Sequence, residues 1–199
     1  MNKKGAFIVI EGLDGSGKTT QAQILTARLR RSHRAVYTQE PSHGKIGAFI
    51  RNHILYGANR TPTIVEALLF AADRIDHVQN EVQPALRQGL IVVSDRYVYS
   101  SVAYQGSAGL SLDWIEAINQ HALKPDLALF IDADPEVVLQ RLKRRKSVME
   151  NLETQRKVRE IYLKFVEKGV LVRINGDKPK NHVAEEVFAA VTKFLKTRG

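Results

Sequence analysis

The stretch Gly12-Leu13-Asp14-Gly15-Ser16-Gly17-Lys18-Thr19 matches GxxxxGK[ST] in full. These residue types at this spacing suit one task, the cradling of a polyphosphate. The glycines let the backbone wrap closely, so that its N–H groups point at a β-phosphate. A helix starting near Lys18 adds the positive end of its dipole. Lys18 can reach the β- and γ-phosphates, and the Thr19 hydroxyl can ligate Mg²⁺. A bare glycine-rich turn is the plainer reading of the same letters, but the apolar run before it and the helical pattern after it favour a nucleotide.

Further chemistry sits downstream. Asp95-Arg96 follows the apolar run 90–94, which puts a carboxylate and a guanidinium at the end of a strand where α/β sheets bind ligands. Asp95 can support a Mg²⁺ shell, and the planar fork of Arg96 can hold two phosphate oxygens; a surface salt bridge is the plain alternative. Phe70 and Arg74 stand four apart on an expected helix, hence on one face, offering a planar base an aromatic plane and a fixed donor. Phe70 alone would more often be core. The densest positive run, Arg141-Leu142-Lys143-Arg144-Arg145-Lys146, is ordinarily a solvated helix end. Its place after the helix of the fourth strand is where small nucleotide kinases carry a lid.

The elements that must position these groups can be read from the apolar pattern. Five short, nearly continuous runs, Ala6–Ile10, Ala35–Thr38, Leu90–Ser94, Leu127–Ile131 and Val170–Ile174, read as strands covered on both faces. Between them lie expected helices over 18–31, 46–55, 63–88, 97–105, 112–121, 135–145, 152–168 and 182–196. Asp134 can cap the helix that starts at Pro135. With no internal repeat and no linker, the expectation is one α/β domain over 1–199, a three-layer sandwich around a five-stranded, mostly parallel sheet.

Composition sets the bounds. The 199 residues are 44% hydrophobic and 26% charged, enough for a core and unlike a disordered chain. The absence of cysteine excludes a disulfide scaffold and fits a reducing cytoplasm. No apolar run approaches the ~20 residues of a membrane helix, and the first apolar run stops at Glu11, too short for a signal peptide. A net charge of +9 suggests polyanionic partners: nucleotides, phosphates or nucleic acid.

Along almost its whole length the chain resembles the thymidylate kinase family, most like its archaeal and bacterial branch. The resemblance rests on Gly12–Thr20, Glu40-Pro41, Leu69-Phe70-Ala71-Ala72-Asp73-Arg74, Asp95-Arg96-Tyr97, Ala103-Tyr104-Gln105-Gly106 and Asp132-Ala133-Asp134-Pro135 in that order. It implies a P-loop NTPase fold with a mobile lid at about 141–153, and phosphorylation of dTMP by ATP with Mg²⁺. The ATP contacts would be Gly12, Leu13, Asp14, Gly15, Ser16, Gly17, Lys18, Thr19 and Thr20. For dTMP, the resemblance implies Phe70 stacking on thymine, Arg74 bonding O4, Arg96 holding the phosphate, and Asp14, Pro41, Ser100, Tyr104 and Gln105 as further contacts. Thr19 and Asp95 would serve the metal. The branch that carries a P-loop arginine has it where this chain has Gly15, so the transition-state charge falls to Lys18, Arg96 and the lid residues Arg141 and Arg144. The bacterial Arg-Glu-Pro-Gly-Gly-Thr pattern is replaced by Gln39-Glu40-Pro41-Ser42-His43-Gly44, and Arg51 is a candidate for the lost charge. Adenine is expected near 175–179. The resemblance further implies a cytoplasmic homodimer with no nucleic-acid or membrane partner. Two other readings stand beside it: a different small nucleotide or deoxynucleoside kinase, and a nucleic-acid-associated P-loop module.

Overall fold

Strand β1, Ala6–Gly12, is buried at every residue, and its alternate side chains enter two different layers. Phe7 and Val9 pack with Tyr97, Phe130, Val158 and Tyr162. Ala6, Ile8 and Ile10 pack with Ala22, Leu25, Leu29, Val183 and Val187. A strand covered on both faces has no use for alternation, which is why the run reads as continuously apolar. The computed structural model describes residues 5–55, 61–141 and 151–198.

Four more strands complete the sheet: β2 (Ala35–Gln39), β3 (Ile91–Asp95), β4 (Leu127–Asp132) and β5 (Val172–Asn175). Their order is β2-β3-β1-β4-β5, and every pair is parallel, so the expected mostly parallel sheet is wholly so. The chain fills one side of β1 with β2 and β3 and then crosses to the other side. That reversal opens a crevice at the carboxyl ends of the strands. The register sets Ile10 beside Asp95 and Gly12 beside Ile131, so the phosphate loop and Asp95 emerge together.

The helices are α1 (Lys18–Leu29), α2 (Lys45–Phe49), α3 (Thr63–His77), α4 (Gln83–Arg87), α5 (Val98–Ser107), α6 (Leu112–Ile118), α7 (Pro135–Arg141), α8 (Leu152–Glu167) and α9 (Lys180–Thr197). The expected single helix over 63–88 is broken: α3 passes through a π-helical stretch, Val78–Val82, before α4. Pro84 stands in the first turn of α4. It has no N–H to give and its ring crowds the carbonyl four residues back, so the preceding turn widens. The helix expected over 46–55 likewise becomes α2 followed by a π-helical stretch, Ile50–Leu55. The start at Pro135 is as expected, with Asp134 Oδ1 accepting from the Glu136 N–H at 2.8 Å. The remainder of the expected 135–145 helix, and most of the expected lid, fall outside the described residues. Among the described residues no helix is long and apolar enough to cross a membrane.

The β2–α2 connection is held tightly against the helix that follows it. A Cβ on Gly47 would come within 2.1 Å of the Ser42 carbonyl oxygen and 2.6 Å of its nitrogen. These are backbone atoms, so no side-chain rotation relieves the clash. Gly47→Ala should therefore lower the unfolding free energy by about 1–3 kcal/mol, as overpacking does, read as a lower denaturant midpoint. An unchanged midpoint would mean that the loop moves freely.

Candidate active site

Three charges converge where β1 ends. The phosphate loop turns through Gly15 and Gly17, at φ 89° and 91°, a region where side chains are strained and glycine is not. Lys18, only 5% exposed, donates to the Leu13 carbonyl at 3.2 Å and to Asp14 Oδ1 at 3.3 Å. Arg96 Nη2 meets the same Asp14 oxygen at 2.5 Å. Burial pushes the Asp14 carboxyl up, but Arg96 and Lys18 together outweigh it and hold it well below the usual carboxylate range. Burial, reinforced by Arg96, draws the Lys18 ammonium down from its ordinary value.

Arg96 itself has φ 72°, a left-handed backbone rare outside glycine. Its N–H is fixed by the Ile10 carbonyl at 3.0 Å. The guanidinium also donates to Ser100 Oγ at 3.0 Å and lies over the Tyr104 ring, 5.0 Å from its centroid. Tyr104 Oη donates to Asp14 Oδ2 at 3.3 Å. The structure thus brings together Asp14, Lys18, Arg96, Ser100 and Tyr104.

Beside them, Thr19 Oγ1 donates to Asp95 Oδ2 at 2.5 Å. The other carboxylate oxygen, Asp95 Oδ1, is buried and has no hydrogen-bond partner among the described residues. A buried, uncommitted carboxylate oxygen next to a hydroxyl is a donor set that fits a hard, oxygen-seeking cation such as Mg²⁺. Among the described residues no group of three acidic or histidine side chains is arranged to hold a metal ion, so such an ion would lean on Thr19, Asp95 and the ligand's phosphates rather than on a protein cage.

A second buried network holds Arg74, which is 1% exposed. Its Nε and Nη2 donate to Glu40 Oε2 at 3.0 and 2.8 Å, Nη2 also to Ser101 Oγ at 2.9 Å, and Nη1 to Asn119 Oδ1. His77 Nδ1 lies 3.2 Å from Glu40 Oε1 and its Nε2 lies 2.7 Å from Thr38 Oγ1. Of the five N–H donors of an arginine, those four bonds use four and leave one, on Nη1. Phe70 stands half-buried one turn away on α3. Gln105 is buried with its Oε1 unpartnered among the described residues.

The neighbouring residue grips the same connection. Asp73 accepts from the Ser42 N–H at 2.7 Å and from Ser42 Oγ at 2.6 Å. Arg51, the candidate for part of the lost loop charge, donates through Nη1 to the carbonyls of Pro41 and Ser42 at 2.7 and 2.5 Å. That nitrogen helps shape the loop, because those carbonyls have no helix to bond them.

Several residues of these networks escape a reading of the sequence alone. Glu11 is fully buried at the end of β1: its Oε1 accepts from the N–H groups of Tyr97 and Ser100 at 3.0 and 3.2 Å. Ser101, Asn119, Asp73, His77 and Thr38 are others. Only Glu11 carried a signal, as a carboxylate closing a strand apolar on both faces. Past β4, Asp132 is gripped by Arg159 and Arg173 at 2.7 Å each. Arg141 Nη1 reaches the Gly176 carbonyl at 3.4 Å, in the connection between β5 and α9. Arg144 lies outside the described residues.

A parallel sheet with a phosphate loop at its switch point and two arginine-bearing networks beside it defines a P-loop nucleotide-binding enzyme of the small-kinase type. A sequence model of thymidylate kinase matches residues 10–187, and the chain belongs to the thymidylate kinase family. A probable thymidylate kinase of Pyrobaculum aerophilum is 44% identical over 194 residues, covering 96% of each chain. One of Pyrococcus abyssi is 42% identical over 201 residues, covering 96% of this chain and 98% of the relative.

Asn119 gives Arg74 an acceptor that nothing else in the network duplicates. Asn119→Ala should leave a buried N–H unpaired and cost about 1–3 kcal/mol, measured by urea unfolding. Wild-type stability in that variant would show the contact to be dispensable.

Proposed function

We propose that the protein transfers the γ-phosphoryl group of ATP to dTMP, giving dTDP and ADP. Membership of the family supports the reaction. The observation that carries the assignment of sites is the part-buried Arg96–Asp14–Lys18 cluster at the mouth of the phosphate loop. Lys18 neutralises charge on the donor's terminal phosphates, and Arg96 holds the acceptor's phosphate, its planar fork able to donate to two oxygens at once. Catalysis is then positioning and charge neutralisation, with no covalent intermediate and no strong general base, because the acceptor is already an anion. Thr19 and Asp95 would hold Mg²⁺, which when bound supplies positive charge to the donor phosphates. Arg141 donates to the Gly176 carbonyl, beside the 175–179 stretch expected to meet adenine. The transition-state charge falls to Lys18, Arg96, Arg141 and Arg144. The absence of cysteine suits a reducing compartment, the cytoplasm.

The base pocket follows from Arg74. With four of its N–H groups committed, the fifth can only donate, which suits the O4 acceptor of thymine and opposes the amino group of cytosine. Phe70, four residues earlier on α3, supplies the stacking face. The active form is a homodimer: Phe49, Ile64, Val65 and Leu68 are 40–49% exposed on α2 and α3, an apolar face of the kind that a second copy covers.

A coupled assay of ADP release against a panel of monophosphates tests the function. The expected order is dTMP first, then dUMP about 10–200-fold poorer, since one methyl is worth only ~1–3 kcal/mol. dCMP should trail by ~10⁴ because buried polar groups would be left unpaired. Equal turnover of dCMP and dTMP would overturn the pocket assignment. Light scattering on the eluting protein tests the dimer: wild type should run at twice the chain mass and Leu68→Glu at the chain mass, whereas a monomeric wild type defeats the proposal.

A further inference from the structure

We propose that Glu11 is the proton-binding group of the acceptor site, taking up a proton from solvent when a phosphate dianion docks on Arg96. This rests on the assignment of Arg96 to the acceptor phosphate. Arg96 stands between two carboxylates: Asp14 directly, and Glu11 through Ser100, whose Oγ accepts from Arg96 Nη1 at 3.0 Å and donates to Glu11 Oε2 at 2.6 Å. With Lys18, these groups are two cations and two anions, and the Asp95 carboxylate beyond them already adds a negative charge that both cations feel. A docked dianion leaves the cluster with excess negative charge in a buried site, where unbalanced charge is costly.

Of the two carboxylates, only Glu11 is built to give up its charge. Asp14 is held ionised by two cations in direct contact. Glu11 makes no direct ion pair among the described residues and is fully buried; burial pushes its carboxyl up to about 7, against the opposing pull of Ser100, Arg96, Tyr162 and the Tyr97 N–H. The hydrogen bonds are compatible with both states. Oε1 faces two backbone N–H groups, which can only donate. Oε2 faces two hydroxyls, Ser100 Oγ and Tyr162 Oη at 2.9 Å, and a hydroxyl can reverse its direction. A proton on Oε2 can therefore be donated to Tyr162 Oη while Ser100 keeps its bond from Arg96. The charged and titratable groups around Glu11 are Arg96 on the β3–α5 connection, Tyr99 and Tyr104 on α5 and Tyr162 on α8, with Asp14 and Lys18 of the phosphate loop beyond Arg96. The tyrosines stay neutral, since burial raises each of them.

The sign follows. A dianion at Arg96 weakens the positive field on Glu11 and raises its proton affinity, so binding takes up protons and acceptor affinity falls as pH rises through about 7. The acceptor's own phosphate, with a second ionisation near pH ~6, acts in the opposite sense and releases protons.

Calorimetric titration of the intact protein with dTMP at pH 7.5, in two non-phosphate buffers of different ionisation enthalpy, counts the protons. Wild type should take up about half a proton more per dTMP than Glu11→Gln, the expectation for a one-unit rise from about 7. Glutamine keeps the shape and can still bond both N–H groups and both hydroxyls. Tyr162→Phe, which retains the ring stacked on Phe130 at 4.7 Å, removes a hydrogen bond that favours the charged form. It should move the pH of largest uptake upward, and it decides the matter should Glu11→Gln fail to fold. Equal proton counts in wild type and Glu11→Gln, with dTMP bound by both, or an unmoved maximum in Tyr162→Phe, would overturn the role of Glu11 and leave the acceptor site standing. Failure of wild type to bind dTMP would overturn the acceptor site and the proton site together.

Discussion

The close pairing of Arg96 with Asp14 constrains everything around the mouth of the phosphate loop. A guanidinium and carboxylate largely withdrawn from water are stable together only when each is also satisfied on its remaining sides. For Arg96 that means Ser100, Tyr104 and a backbone turned to φ 72° with its N–H on the Ile10 carbonyl. Such a backbone costs about 1–3 kcal/mol, and the fold retains it because Ile10 and Asp95 are register partners at the ends of adjacent strands. The sheet register, the strained residue and the ion pair are therefore one arrangement: shift any of them and the cation no longer points at the loop.

Much of this was legible in advance. The layering follows from continuous apolar strands, and the phosphate loop from its own letters, since both depend on local order. What depends on helical phase did not show. Ser100 and Ser101 differ by about 100° around α5; the first faces Glu11 and Arg96, the second faces Arg74. Nothing in the pair of letters tells which serine meets which arginine. Asn119 stands just past the end of α6, and its bond to Arg74 exists only once α3 and α6 are docked.

Glu11 was hidden for another reason. The apolar run ends at Ile10, so the next residue reads as the edge of the strand. In the structure β1 continues to Gly12, and the side of the sheet that receives Phe7 and Val9 also receives Glu11. The same alternation that builds the core delivers a carboxylate to the first turn of α5, where it takes the Tyr97 N–H and shares the Ser100 N–H with the Tyr97 carbonyl. A charge in such a place is costly to keep, and its hydrogen bonds to Tyr97, Ser100 and Tyr162 offset part of that cost.

Asp73 and Arg74 are consecutive, and they hold two residues of the β2–α2 connection on either side of Pro41: Asp73 takes Ser42, and Arg74 takes Glu40. The proposed base pocket and the β2–α2 connection consequently share one hinge of attachment and cannot diverge separately. Grafting the arginine-bearing bacterial loop into this scaffold would disturb Glu40 and Ser42 and, through them, the orientation of Arg74. Inheritance faces the same restriction, so that the loop and the pocket of this lineage are bound to drift as a single heritable module.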